Sequence, residues 1–262
     1  MLWIDQVTLA VHVCPVPDLA RETLRESFGF EEFLDGQAGI VEEILASRDG
    51  LVVMPTGGGK SLCYQLPALC LEGVTVVVSP LIALMKDQVD ALMEKGVAAT
   101  LINSSLSHSE QRERIERMLR GDYKLVYVAP ERFRAEGFVA AMREVKVGLL
   151  AIDEAHCLSQ WGHDFRPDYL RLGKARKALG SPQCVAFTAT ATEVVRQDIV
   201  SVLELEDPFQ KVTGFARANL SFNITPVETK AAKFRRTREI LEKHRTGIIY
   251  CATRKRVEEV SE

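Results

Sequence analysis

The sequence predicts an α/β fold, with a parallel sheet covered by helices on both faces. Three observations predict it. Six short runs rich in β-branched residues recur between Gly50 and Thr190. They are nearly continuous in apolar character, as strands buried on both faces are. Helix-patterned segments alternate with them. A glycine run ending in a cation follows the first strand, in "LVVMPTGGGKSLCYQLP".

The expected strands are Gly50–Met54, Val74–Ser79, Ala98–Ile102, Lys124–Ala129, Val147–Asp153 and Cys184–Thr190. Between them, "ALMKDQVDALMEKG" and "HSEQRERIERMLRG" carry helical spacing and each closes on a glycine stop. After "TATATEVVRQDIVSVLELEDP" the rhythm resets. Residues 208–219 are expected as a connector, Ala231–Arg245 as a charged helix, and Gly247–Ala252 as a new strand followed by the start of a helix. The expected organisation is an N-terminal tail over 1–24, a first domain over 25–208, and a connector with the incomplete start of a second α/β domain over 209–262.

Composition bounds the function. A chain of 262 residues that is 47% hydrophobic can bury a sizeable core. A net charge of −3 does not suit a uniformly basic nucleic-acid binder, although charge can concentrate locally. The six cysteines include no C-x-x-C pair and no histidine at zinc-finger distance, so no zinc is expected. They read as reduced thiols of a cytoplasmic protein, or of a nuclear one in a eukaryote. No apolar run reaches the ~20 residues of a membrane span, so no membrane association is expected. The first residues carry Asp5 and His12 without a basic lead, which argues against a signal peptide.

The glycine run is the first chemical signal. In a strand–loop–helix turn, backbone N–H groups converge on an anion and the helix N-terminus adds partial positive charge. In that arrangement Thr56, Gly57, Gly58 and Gly59 cradle phosphates, Lys60 reaches the β- and γ-phosphates, and the Ser61 hydroxyl ligates Mg²⁺. Met54 stands where the strict pattern has its first glycine. A flexible surface turn is the plain alternative. The second signal is "LLAIDEAH", where Asp153 closes a buried strand at the sheet edge that binds ligands in this architecture. Asp153 is expected to hold Mg²⁺, partly through water, and Glu154 to polarise the attacking water.

"MPTGGGKS", "DEAH" and "TAT", in this order, resemble motifs I, II and III of superfamily 2 helicases. "DEAHCLSQWGHDFRPDYLRL" is similar to the aromatic-rich loop of the RecQ family of DNA helicases, and "VVVSPLIALMKDQV" and "YVAPERF" resemble that family's motifs Ia and Ib. The resemblance runs from about Arg25 to Lys255. It implies a RecA-like ATP-binding domain with the beginning of a second, and ATP-driven 3′-to-5′ translocation and unwinding of DNA in recombination and repair. ATP and Mg²⁺ are the implied cofactors, and DNA with a single-stranded region is the implied partner. Single-strand-binding and repair proteins go with such a role, though no residue singles one out.

The resemblance also assigns residues. In "FGFEEFLDGQ", Gln37 reads the adenine edge and Phe30 stacks, while Phe33 reads as packing. Leu34 and Asp35 replace the Arg and Pro usual in the family, which predicts weaker ATP binding or selectivity. Trp161, His163, Phe165 and Arg166 are assigned to DNA contact or coupling, since aromatic faces stack on unpaired bases and Arg meets phosphate; Tyr169 is split between that role and packing. His156, Thr188 and Thr190 are expected to couple the nucleotide site to domain movement, the threonines through their hydroxyls. Ser79, Asn103, Ser104 and Arg132 are candidate DNA-backbone contacts, with cap and turn roles competing at Ser79, Asn103 and Ser104. The run "KAAKFRRTREILEKHR" reads as a solvated helix face. An arginine finger belongs to a second domain that this sequence does not complete, so weak turnover is expected of the chain alone. The rival readings are a non-catalytic ATP- or DNA-binding module derived from a helicase, and an RNA helicase, which only the 2′-OH would distinguish.

Overall fold

The computed structural model describes residues 17–213, 220–244 and 246–261. They fall into two compact units, one up to residue 215 and one from 216 onward. In the first unit the elements follow as α1 (Asp18–Phe28), α2 (Gln37–Leu45), β1 (Gly50–Val53), α3 (Lys60–Cys70), β2 (Val74–Val78), α4 (Ile82–Glu94), β3 (Ala99–Ile102) and α5 (His108–Leu119). Next come β4 (Leu125–Val128), α6 (Glu136–Arg143), β5 (Val147–Ile152), α7 (Leu172–Ala178), β6 (Cys184–Thr188), α8 (Glu193–Leu203) and β7 (Phe209–Val212). The seven strands form one sheet in the order β3-β4-β2-β5-β6-β1-β7. Every pairing is parallel.

Alternation along each strand splits the core in two. On β1, Val52 packs into one cluster with Leu24, Ile40, Tyr64 and Phe187. Its neighbours Leu51 and Val53 face the other cluster, with Leu150, Ile199 and Leu203. Each fully buried aliphatic side chain contributes about 1.5–3 kcal/mol relative to exposure. Two helix starts are fixed locally by side chains. Ser107 and Glu110 form a reciprocal capping box on α5, and Thr192 caps α8 through the Val195 N–H. Such caps contribute about 1 kcal/mol each.

Two boundaries move from their expected places. α1 begins inside the expected tail, because Ala20 and Leu24 lie on one face and are buried together with Phe28; residues 1–16 lie outside the described residues. β7 lies inside the expected connector and pairs with β1. Its sequence hides it, since only Phe209 is buried and the next three residues are exposed. The Phe209 ring covers Gly50, where a Cβ would stand 2.3 Å from it.

The second unit contains α9 (Lys230–His244) and α10 (Arg254–Ser261), neither with a buried residue. α9 is thus the solvated charged helix expected there. Gly247–Ala252, expected as a strand, is not one. Ile248 is 81% and Tyr250 91% exposed. Apolar β-branched character alone does not make a strand, and among the described residues of this unit no strand offers a ladder.

Candidate functional site

The chain leaves β1 at Val53, turns through Met54–Gly59 and enters α3 at Lys60. Gly57 (φ +84°) and Gly59 (φ +77°) take left-handed backbone conformations. A residue with a Cβ pays about 1–2 kcal/mol there. The space where a Gly57 Cβ would lie is open, whereas a Cβ on Gly59 would stand 2.2 Å from Gln37 Nε2. The Gly58 N–H donates to Pro55 O at 3.0 Å and tightens the turn. Lys60 Nζ donates to Met54 O at 3.0 Å and lies 3.4 Å from Pro55 O. Ser61, partly buried, sits in the first turn of α3.

Gln37 joins this loop from α2. It is 2% exposed. Its Oε1 accepts from the Leu34 N–H at 2.8 Å, and its Nε2 donates to Gly59 O at 3.1 Å. An amide used this way keeps one more proton and one more lone pair for a ligand. Phe30 and Leu34 are 52% and 57% exposed. Phe33 packs against the core.

β5 ends at Ile152, and the Asp153 N–H continues the ladder to Val78 O at 2.8 Å. The Tyr169 hydroxyl, fully buried, donates to Asp153 O at 3.0 Å, which places its ring in the core and out of reach of DNA. Glu154 follows at φ 48°, a left-handed conformation unusual for a residue with a side chain. β6 lies between β5 and β1 and ends at Thr188, whose carbonyl accepts from the Met54 N–H at 3.0 Å. The Thr188 hydroxyl donates to Thr190 O at 3.1 Å. Its oxygen is therefore the acceptor for His156 Nδ1, 2.9 Å away. His156 Nδ1 also lies 3.3 Å from Glu154 Oε2. Thr190 enters this network through its backbone, and its side chain is not the linking group.

The adjacent carboxyls are driven apart. Burial, and then the negative charge of Glu154, raise Asp153 to about 6, against the pull of the Glu154 N–H, Lys60 and His156. The hydrogen bond from His156 lowers Glu154 below its ordinary value, with burial working against it. Burial thus dominates at Asp153 and the His156 hydrogen bond at Glu154.

The aromatic loop starts from this same stretch. The rings of His156 and His163 stack with centroids 4.0 Å apart. Trp161 is 77% exposed. Arg166 is tied down: Nε and Nη2 donate to Asp164 Oδ2 at 3.0 and 2.8 Å, and Nη1 donates to Pro80 O at 3.1 Å. The partly buried Phe165 lies between Asp164 and Arg166 in this clamp. A cleft of about 340 Å³ is lined by Thr56, Pro80, Leu81, Glu154, His156, His163, Asp164, Ala189 and Thr190. It joins the glycine loop to the aromatic one.

Ser79, Asn103 and Arg132 follow the C-terminal ends of β2, β3 and β4, on the sheet edge that carries Asp153. Each holds a buried polar atom with no partner in the protein: Ser79 Oγ, Asn103 Nδ2 and Arg132 Nε. Buried polar atoms are rarely left so. Asn103 also closes a turn, accepting at Oδ1 from the Ser105 N–H and hydroxyl. Ser104 Oγ lies 3.5 Å from Glu131 Oε1. No motif points to Asp198, which meets the loop through Ser159 Oγ at 2.6 Å across 39 positions.

The chain matches the model of the DEAD/DEAH box helicases over residues 35–198. It is 43% identical to the ATP-dependent DNA helicase RecQ of Pasteurella multocida over 252 residues, covering 96% of this chain and 40% of that protein. It is 42% identical to the probable ATP-dependent DNA helicase RecS of Bacillus subtilis, covering 92% of this chain and 49% of that protein. The chain thus spans less than half the length of these relatives. Among solved structures, the DUF1998 helicase MrfA superposes with a TM-score of 0.66 over 94% of this chain and 40% of that one, at 20% identity, a likeness of fold.

Proposed function

The chain belongs to the DEAD/DEAH box helicase family, and from that membership we propose that it is the ATP-hydrolysing motor portion of a RecQ-type DNA helicase. The observation that carries this reading is the convergence of three parallel strands. β1, β6 and β5 deliver the Lys60 loop, Thr188 and the Asp153–Glu154 pair to one sheet edge, and His156 ties Glu154 to Thr188.

The residues fit a nucleotide triphosphate with a divalent ion. The open space at Gly57 and the N-terminus of α3 suit a phosphate. The Ser61 hydroxyl and the Asp153 carboxylate are the oxygen donors that Mg²⁺ accepts, with water and phosphate oxygens completing the shell. Mg²⁺ held there neutralises charge on the phosphate oxygens. Lys60, now on the carbonyls of its own loop, turns to the β- and γ-phosphates. Glu154, held anionic by His156, orients a water for in-line attack and takes its proton. Gln37 uses its remaining donor and acceptor on the adenine edge, with Phe30 beside it. Ser79, Asn103 and Arg132 are the contacts to the DNA backbone once their buried donors open to it, and Trp161 stacks on an unpaired base.

The test is ATP hydrolysis by this chain, with and without single-stranded DNA or RNA, against Lys60→Ala. The expected outcome is slow turnover that DNA stimulates and that falls on the order of 10²–10³-fold in the variant, the scale of losing one charge-stabilising donor. ATP binding without turnover would favour a binding module instead. Equal stimulation by RNA would overturn the assignment to DNA.

A further inference from the structure

We infer that Asp198 is a positioning residue for Trp161, acting through the Ser159 hydroxyl. The inference rests on the reading of the aromatic loop as a single-strand sensor, and it adds a residue that neither the loop sequence nor the glycine and DEAH motifs contain. Asp198 stands on α8, outside the glycine loop and the carboxyl pair in sequence. Its Oδ2 accepts from Ser159 Oγ at 2.6 Å. The same Oγ accepts from the Trp161 N–H at 3.1 Å. With its proton committed to Asp198, the Ser159 oxygen turns its lone pairs to the Trp161 backbone. Ser159 is 1% exposed, so its hydroxyl is held by these protein partners.

The turn has little freedom around that hydroxyl. The Gly162 N–H donates to Ser159 O at 3.0 Å, and a Cβ on Gly162 would lie 2.2 Å from His156 O. The far end is held separately, by the Arg166 N–H on Cys157 O and by the Arg166 guanidinium on Asp164 and Pro80. The exposed Trp161 ring therefore projects from a span clamped at both ends, and Asp198 is the near clamp. Removing its carboxylate leaves the buried Ser159 proton without an acceptor, and the hydroxyl rotates to find one.

Trp161 is its own reporter. The chain has two tryptophans, and the other, Trp3, lies outside the described residues. In a Trp3→Phe background, acrylamide quenching reads the freedom of the Trp161 ring, and titration with oligothymidylate reads DNA binding. Asp198→Ala is expected to raise the quenching constant and to weaken oligothymidylate binding about fivefold or more, the low end of one lost base stack. Affinity for a fluorescent ATP analogue should not change. Asp198→Asn, whose amide oxygen still accepts from Ser159, should restore both readouts. Ser159→Ala should reproduce the loss without touching α8, so misfolding of one variant does not decide the matter. Quenching and DNA affinity at parent values in Asp198→Ala, in a background where Trp161→Ala weakens DNA binding, would overturn the inference. If Trp161→Ala leaves DNA binding intact, the sensor reading fails, while the quenching contrast between Asp198→Ala and Asp198→Asn still decides the positioning role.

Discussion

Asp153 and Glu154 are neighbours that titrate in opposite directions, and both shifts have measurable consequences. Burial raises Asp153 from 3.8 to about 6, so between those values the folded chain holds a proton that the unfolded chain has released. Its contribution to stability is present below 3.8, declines as pH rises and is gone above about 6. Asp153→Asn removes the buried charge and keeps an acceptor for the Glu154 N–H. In metal-free buffer it should be about 1–3 kcal/mol more stable than the parent at pH 8, with the gap closing by about pH 4. Denaturant melts across that range check this, and a pH-independent gap would refute the burial argument. Glu154 moves the other way, so Glu154→Gln should keep ATP affinity and lose turnover by about 10²-fold or more, the scale of general-base catalysis. At Leu34, the exposed side chain lies near the glycine loop, 3.5 Å from a Cβ placed on Gly59. Leu34→Arg should tighten ATP binding by about 0.5–1 kcal/mol, the worth of an exposed cation over a ring, read by titration with a fluorescent ATP analogue.

At the scale of elements, helix α7 packs on α8 through Gly173, where a Cβ would lie 2.0 Å from Val202 O. Backbone against backbone leaves no flexible side chain to yield. Gly173→Ala should lower stability by about 1–3 kcal/mol, the range for overpacking, and shift the denaturant midpoint with little change in slope. The same scale shows what sequence could and could not reveal. Six strands were legible because burial on both faces demands unbroken apolar runs. β7 was not, because an edge strand needs only Phe209 inside. Gly247–Ala252 has the right residues, but strands form by pairing, and pairing is not written in one segment. At the site, Lys60, Asp153 and Glu154 stood at recognisable spacings within short motifs. The bond from Asp198 to Ser159 spans 39 positions and two ordinary polar residues, so no local pattern announces it. Gln37 was legible as a candidate reader of adenine, but not its grip on Gly59, which depends on how α2 lies beside α3.

For the whole molecule, order is unevenly distributed. The first unit holds all the buried residues of the two clusters, while α9 and α10 bury none. Isolated helices of 15 and 8 residues are marginal in water. Hydrogen exchange should therefore find the amides of β2 and β5 protected by orders of magnitude more than those of α9 and α10. Equal protection would mean that the second unit has a core of its own. The stack of His156 on His163 has a different consequence. The backbone between Glu154 and His163 doubles back until ring meets ring, so this linkage has almost no slack. On the proposed coupling of this loop to the nucleotide site, a nudge at the loop tip would reach the carboxylate without any strand or helix sliding. Such a short-throw lever tolerates changes of chemistry along its arm better than changes of length. One residue inserted between Leu158 and Trp161 would act like a missing tooth in a gear, leaving both ends intact and the drive disengaged.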